Sequence, residues 1–461
     1  MPTQRKPVSF AFQGCQGRKV AASFNGGAIT SNAGALLLGR IGRNGGLFDR
    51  VAACFTDHRD PRLTEHSVRT LVAQRIVGLA LGYEDLNDHD HLRRDPVLGL
   101  LAGKLGGGRG NCAALAGKST LNRLEHAPKG EPGRYHRIGH EPAALQNLLA
   151  ELFVNGWTGP PPARLVLDID CTDDETHGRQ EGRAFHGYYG HHCLLPLHIF
   201  CGAHPLAAIL RPGNADPAGG VAGALERIVS RLRRRWPNVQ LLVRADSAYA
   251  REEIMAFCEA RNIHYVIGLA RNDRLVEKIA PELLAAKVES RGRRRPARHR
   301  PARLYAEFPH ATRTSWSRFR RVIAKAEHIP GKRNPRFVVT SLPLTIPPRT
   351  VYERVYCPRG NAENAIKEQQ LDLFADRTSA TPMAANQLRL LFSAFASILM
   401  IRLRDALAHT RLGRATAGSL RLKLLKIGAR VSVSVRRVTV AMDSHHPFQA
   451  EFARAHARFP T

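Results

Sequence analysis

Three acidic residues stand at points in the sequence where their side chains could meet. Asp170 and Asp246 each end an apolar run, and Glu363 begins a helical stretch late in the chain. Carboxylates that converge from strand ends and a helix are hard oxygen ligands, suited to Mg²⁺ or Mn²⁺. Two such ions about 4 Å apart would activate a water or a 3′-hydroxyl and stabilise the leaving oxygen in phosphodiester chemistry. Asp170, Asp246 and Glu363 are therefore predicted to be catalytic and to hold two divalent metal ions.

The first apolar run, RLVLDIDCT at 164–172, is typical of a buried strand because it is short, apolar and contains β-branched residues. Side chains alternate along a strand, so Asp168 and Asp170 are predicted to point to the same side. A carboxylate in a buried strand is costly unless it is paired or binds a cation. The residue pattern alone leaves both acids open as the first metal ligand.

The elements around these acids predict an α/β fold. From residue 164 to residue 270 the order of elements is strand, strand, strand, helix, strand, helix, strand. That order is typical of a mixed sheet with helices packed on it. A long apolar helix is predicted at about 384–407, buried on most sides.

The charge of the chain indicates a polyanionic partner. Lys and Arg number 69 against 39 acids, and the net charge is +30. This excess favours nucleic acid, since a GC-rich source genome would exchange Lys for Arg without adding charge. The predicted DNA contacts are Arg293, Arg294, Arg295, Trp316, Arg421, Lys423 and Lys426. For Trp316 two roles remain open: a packed core residue, or a wedge on which a base stacks.

Several features argue against a zinc site and a membrane span. Six His and two Cys between 177 and 204 match no standard structural zinc spacing. No pair of the eight cysteines has CxxC spacing, which predicts reduced thiols in a cytosolic protein. The longest apolar stretch, 390–401, has twelve residues and is shorter than a membrane span.

Prolines, basic runs and changes in element type divide the chain into five predicted regions. The regions are a helical DNA-binding or dimerisation region at 1–140, the first part of the α/β core at 163–274, a basic β-rich insertion at 275–350, the second part of the core with the Glu363 helix at 351–408, and a basic C-terminal segment at 409–461.

Three local sequences, LDIDCTDDETHG, LLVRADSAYA and YCPRGNAENAIKEQ, together resemble the DDE transposases of bacterial insertion sequences. The resemblance is greatest to the IS1380 family, whose members share an IS4-like Tyr-x2-Arg-x3-Glu signature. Here that signature is formed by Tyr356, Arg359 and Glu363. The family has a further Lys seven residues beyond the Glu, where this chain has Gln370. Lys367, one turn after Glu363, is the alternative.

The resemblance implies an RNase H-like core with a β-rich insertion between the second Asp and the Glu. It also implies cut-and-paste transposition, in which the protein binds double-stranded DNA at terminal inverted repeats and at a target, as a homodimer. The expected location is the bacterial cytoplasm, at the nucleoid.

The resemblance also implies a role for each residue of the site. Asp170 is the first metal ligand, with Asp168 as its neighbour and runner-up. Asp246 bridges both ions and Glu363 holds the second. The supporting residues that would lie at the phosphate near the scissile bond are Tyr356, Arg359 and Lys367.

Three other functions remain open from the sequence. A metal-dependent nuclease or resolvase on the same fold would lack the Tyr-x2-Arg-x3-Glu arrangement. A catalytically inactive or domesticated DNA-binding protein would be expected to have lost one of the three acids. A basic ribosome-associated protein would not need buried acids at strand ends.

Overall fold

The computed structural model describes residues 8–106, 112–129, 136–292, 301–329 and 332–459. The strands are β1 (Ser9–Cys15), β2 (Arg18–Ser23), β3 (Ala28–Thr30), β4 (Phe55–Asp57), β5 (Ile138–His140), β6 (Arg164–Cys171), β7 (Asp174–Glu175), β8 (Ala184–His186), β9 (His191–Leu194), β10 (Leu197–Cys201), β11 (His204–Ile209), β12 (Gln240–Ala245), β13 (His264–Leu269), β14 (Ala302–His310), β15 (Arg320–Ile329), β16 (Lys332–Arg333), β17 (Arg336–Thr340), β18 (Ala429–Val433) and β19 (Val438–Met442).

The helices are α1 (Ala35–Asn44), α2 (Leu47–Ala52), α3 (Val68–Ala80), α4 (His89–Leu92), α5 (Pro96–Leu101), α6 (Lys118–Glu125), α7 (Pro142–Gly156), α8 (Val221–Arg235), α9 (Glu252–Ala260), α10 (Asp273–Glu277), α11 (Ala280–Gly292), α12 (Pro348–Thr350), α13 (Gly360–Leu373), α14 (Met383–Ala406), α15 (Ala417–Leu420) and α16 (Gln449–Arg458).

The chain divides into two compact units. Unit 1 contains Met1–Glu141 and Phe395–Thr461, and unit 2 contains Pro142–Ala394. In unit 1, β3 near the start of the chain pairs antiparallel with β18 near its end. A Cβ at Gly34 would overlap the carbonyl oxygen of Leu424, so only glycine permits this approach of two distant segments. Regions 1–140 and 409–461, predicted separately, are parts of one unit.

Unit 2 is built on a mixed sheet of nine strands. Its order is β11-β10-β6-β12-β13-β17-β15-β14, with β16 paired to β15. The central strands β6, β12 and β13 are parallel neighbours, and β10 is antiparallel to both β6 and β11. The mixed α/β architecture predicted from the order of elements is therefore confirmed.

The predicted insertion at 275–350 does not form a separate sheet among the described residues. Its strand β17 pairs antiparallel with β13, and β15 and β14 follow outward in the same sheet. Backbone N–H and C=O groups on the far side of β13 thereby find partners, which an uncovered sheet edge would lack. The insertion is an extension of the core sheet.

The two faces of the sheet are covered by different parts of the chain. On one face, Leu167 and Ile169 pack in a large apolar core with helices α8 and α9. The opposite face carries Val166, Asp168 and Asp170 of β6, and the segment that begins at residue 351 packs on the apolar residues of this face. The acids therefore lie between the sheet and that segment.

That segment begins to turn earlier than the sequence predicted. The sequence pattern places the start of the helical stretch at about Glu363, but Val351–Tyr356 already forms a π-helix and Cys357–Arg359 a 3-10 turn before α13 begins at Gly360. Pro358 lacks an N–H and cannot continue a regular α-helical ladder. The irregular turns fix how the chain enters α13.

Among the described residues, α14 is the helix whose length and apolar composition would allow it to cross a membrane. It is longer than the predicted apolar stretch at 390–401. Within the protein, 83% of its most apolar window is buried, as in the core helix of a folded domain.

Candidate active site

The first two acids meet because β6 and β12 are parallel neighbours in register. Ala245, the last residue of β12, pairs with Ile169, so the next residue on each strand, Asp246 and Asp170, reaches the same edge of the sheet. Neighbouring strands lie about 4.8 Å apart. Asp246 also caps the short 3-10 helix that follows, since its Oδ1 accepts a 2.9 Å hydrogen bond from the Ala248 N–H.

The third acid is positioned by the packing of α13. Ala362 and Ile366, one turn apart, are buried against Phe200 of β10. Phe200 is in register with Asp168 and so lies on the acidic face of the sheet. Glu363, the residue after Ala362, is directed away from this contact and is exposed.

Arg359 joins two of the acids. Its Nη1 donates to Asp170 Oδ2 at 2.9 Å and its Nη2 donates to Glu363 Oε1 at 2.7 Å. Burial alone would lower the pKa of Arg359, but the charges of Asp170 and Glu363 and the nearby Tyr356 raise it above its usual value. The guanidinium therefore stays charged and bridges β6 to α13.

Tyr356 also reaches the site. A Cβ built on Gly268, in β13, would lie 2.7 Å from the Tyr356 hydroxyl oxygen and 3.1 Å from the Asp246 carbonyl carbon. Gly268 is thus the residue that lets Tyr356 lie beside Asp246. Lys367 is exposed on α13, one turn after Glu363.

Asp168 is held by an arginine that sequence reasoning did not identify. Arg244 of β12 donates from Nε and Nη2 to the two carboxylate oxygens of Asp168, both at 2.7 Å. Its Nη1 donates to the Val355 carbonyl at 2.8 Å, in the π-helix that precedes α13. Burial raises the pKa of Asp168, and the hydrogen bonds from Arg244 oppose that shift. Asp168 is occupied as the partner of Arg244, whereas Asp170 faces the other acids.

The charges around Asp170 leave an excess of negative charge. Burial raises the pKa of Asp170 to about 6; Arg359 opposes the shift, and Asp246 and Glu363 add to it. Three carboxylates against one guanidinium form a donor set that a divalent cation would stabilise. Among the described residues no three His, Cys, Asp or Glu side chains stand at metal-ligand spacing. Arg359 bonds to both Asp170 and Glu363.

The raised pKa predicts that Asp170→Asn stabilises the metal-free protein at neutral pH. A carboxyl with a raised folded-state pKa binds its proton more tightly in the folded protein, so its ionisation costs stability as the pH rises from about 4 through 6. A shift of about two units corresponds to about 3 kcal/mol. In EDTA at pH 7.5 the variant should unfold at higher urea concentration, and the difference should shrink toward pH 4. A wild type more stable than the variant at pH 7.5 would contradict this.

Two further polar residues contact the site. Gln370, where the resemblance leads one to expect Lys, donates from Nε2 at 3.3 Å to the Thr172 hydroxyl and to Asp174 Oδ1. It ties α13 to the chain just beyond Asp170. His198 of β10 lies opposite Asp170 in the register of the two strands and is buried. Burial lowers the pKa of His198 to about 4. The alternation of β10 could have placed His198 on this face, had its register been known.

Of the DNA contacts predicted in unit 2, Trp316 lies within the described residues. Arg293, Arg294 and Arg295 lie outside the described residues. Trp316 is 8% exposed and belongs to the apolar core of the sheet, with its ring 5.6 Å from the Arg320 guanidinium carbon. Of the two interpretations of Trp316, this position supports the packed core residue.

The basic residues predicted in unit 1 make contacts within that unit. Arg421 donates to the Ala80 carbonyl at 3.0 Å, at the end of α3. Lys426 donates to Asn32 Oδ1 at 3.0 Å, and the Lys423 ammonium lies 5.9 Å from the Phe448 ring. Their contact with DNA stays a prediction.

Two of three comparisons with known proteins give a match. The sequence model of the family described as "Transposase DDE domain group 1" matches residues 12–461, a range that contains all three acids. The structure also resembles a cryo-EM structure of a piggyBac transposase synaptic complex with hairpin DNA, with 11% sequence identity, a TM-score of 0.40, and coverage of 86% of this chain and 80% of that chain. The comparison with curated protein sequences gives no match.

Proposed function

This chain belongs to the transposase DDE domain group 1 family, and we propose on that basis that it catalyses cut-and-paste transposition of an insertion sequence. In this proposal the protein binds the inverted-repeat ends of the element, cleaves the DNA there, and joins the freed 3′-hydroxyl to a target. Its partner is double-stranded DNA, consistent with the net charge of +30.

The observation that carries the proposal is that Arg359 bonds to both Asp170 and Glu363, while the β6–β12 register brings Asp246 to the strand end next to Asp170. Residues far apart in the sequence are brought together by that register and by the packing of Ala362 and Ile366 on Phe200. A scaffold role alone would not require three carboxylates with excess negative charge at one place.

The residues divide the work of the proposed reaction. Asp170, Asp246 and Glu363 would hold Mg²⁺ or Mn²⁺, which when bound activates the attacking oxygen and stabilises the leaving one. Arg359, which donates from two nitrogens of one guanidinium, has the fork geometry that recognises a phosphate. Tyr356 lies beside Asp246 and would orient the same phosphate, and Lys367 would contact the DNA backbone.

Finer features of the proposal follow from the same resemblance. The strand order β11-β10-β6-β12-β13, with β10 antiparallel and β6, β12 and β13 parallel, supports an RNase H-like core. We further propose that the chain is a member of the IS1380 family, that it acts as a homodimer on DNA, and that it works at the bacterial nucleoid in the cytoplasm.

The test is a cleavage assay on DNA that carries the element's own ends, identified as short inverted repeats flanking the gene. We expect cuts at those ends with Mg²⁺ or Mn²⁺, no cuts in EDTA, and no cuts in DNA of equal length without the repeats. Cutting that is equal in EDTA and in Mg²⁺ would contradict the metal site. A protein that binds the ends but cuts them neither with Mg²⁺ nor with Mn²⁺ would favour the alternative, an inactive DNA-binding protein.

A further inference from the structure

A small β-hairpin next to the site exposes aromatic rings. Strands β8 and β9 are joined by residues 187–190 and form a three-stranded sheet with β7. Tyr188 is 87% exposed and Phe185 is 59% exposed. The Tyr189 ring lies 5.1 Å from the ring of Tyr188, and the Phe185 ring lies 5.6 Å from that of His192. The hairpin thus presents rings to solvent instead of packing them into a core.

The hairpin is anchored to the catalytic strand. The Nε2 of His191, at the start of β9, lies 2.7 Å from the Oδ2 of Asp173. Asp173 is three residues after Asp170. β7 begins at Asp174 and pairs with β9. Gln370 of α13 also bonds to residues 172–174. The exposed rings are therefore fixed relative to both Asp170 and the helix that carries Glu363.

Two cationic side chains accompany the rings. Arg179 and Arg183 are exposed on the segment between residues 177 and 192, whose one acid is Glu181. Exposed rings beside cationic side chains are the combination that binds single-stranded nucleic acid, because bases stack on the rings while the cations attract the backbone. A duplex keeps its bases stacked on one another and offers no free face to these rings.

We propose that the β8–β9 hairpin binds unpaired bases of a DNA strand beside the catalytic acids, with Tyr188 and Phe185 as the stacking surfaces. This inference rests on the proposed function, since it supplies the place where DNA opened at the cut end is held. Nucleotides separated from their partner strand would stack on these rings, and the strand would continue toward Arg359, which bonds to Asp170.

The test measures binding of the full chain to a short oligothymidine and to a duplex of equal length, by fluorescence anisotropy in EDTA. A Phe185→Ala, Tyr188→Ala double variant should lose at least about tenfold in affinity for the single strand, with duplex affinity unchanged within about twofold. Tyr188→Phe retains the ring and should bind as wild type does. Phe319→Ala, which removes a 73% exposed ring elsewhere in unit 2, is the matched control and should change neither affinity.

Two results would overturn the proposal: single-strand affinity unchanged in the double variant, or an equal loss on single strand and duplex. Circular dichroism of each variant verifies that the fold is kept. The assay needs neither metal nor cleavage, so its outcome is separate from that of the cleavage test. Wild type that cuts its ends while the double variant binds single strands normally would refute the hairpin's role and leave the transposase function standing.

Discussion

Asp246→Asn is expected to reduce cleavage of the DNA ends by at least about 100-fold while leaving DNA binding unchanged. Substitutions in the residues around metal ligands already cost 10- to 100-fold in activity, so loss of a ligand charge should cost at least the upper figure. Asparagine keeps the side-chain oxygen that accepts the Ala248 N–H and is itself a good cap. The local turn should therefore persist, and the loss should be in the rate of cutting.

The matched control is Asp85→Asn. Asp85 caps another 3-10 helix, accepting a 2.8 Å hydrogen bond from the Asn87 N–H, but it lies in unit 1. The rate of cleavage should fall for the Asp246 variant and stay unchanged for the Asp85 variant. Binding of the DNA ends should stay unchanged for both variants. Equal cutting by Asp246→Asn and wild type would remove Asp246 from the catalytic site.

Arg244→Leu is expected to destabilise the protein by about 3–5 kcal/mol, because it leaves the Asp168 carboxylate buried without its partner. The Asp168 side chain is 3% exposed and the Arg244 side chain 10% exposed. The free energy of unfolding in urea at pH 7.5 is the measurement. The substitution also removes the bond from Arg244 to the Val355 carbonyl, so cleavage should fall even at temperatures where the variant stays folded.

Two further variants separate the ion pair from general effects of losing an arginine. Arg69→Leu breaks the surface pair with Asp49, whose side chain is 59% exposed, and should cost no more than about 1 kcal/mol. Combining Arg244→Leu with Asp168→Leu removes both charges and should recover most of the lost stability. An Arg244→Leu protein within 1 kcal/mol of wild type would mean that Asp168 is not buried as an anion.

The sequence predicted the features of the site that depend on the pattern of neighbouring residues. Alternation along β6 correctly indicated that Asp168 and Asp170 share a face, and the apolar runs located β6, β12 and β13. The family resemblance implied that Tyr356, Arg359 and Glu363 act together, and the structure brings Arg359 to both Asp170 and Glu363. The strand inferences need only neighbouring residues and the strand period, whereas the roles of Tyr356, Arg359 and Glu363 needed the resemblance.

What the sequence did not predict depends on pairing between distant segments. The ion pair of Arg244 could not be predicted, because its partner Asp168 lies 76 residues away and is brought near only by the β6–β12 register. The region 275–350 was predicted to be β-rich, but nothing in its own pattern says which sheet its strands join. The pairing of β3 with β18 likewise cannot be predicted from the alternation of residues within either strand.

The pairing of β3 with β18 also orders events during synthesis. A ribosome releases all of unit 2 before Phe395–Thr461, the segment that completes unit 1. Until then, the apolar residues of 1–141 that pack with that segment have no partner, and a polypeptide interrupted before residue 395 would present them to solvent. Such fragments should aggregate or be degraded, so unit 1 is complete only after residues 395–461 have been synthesised.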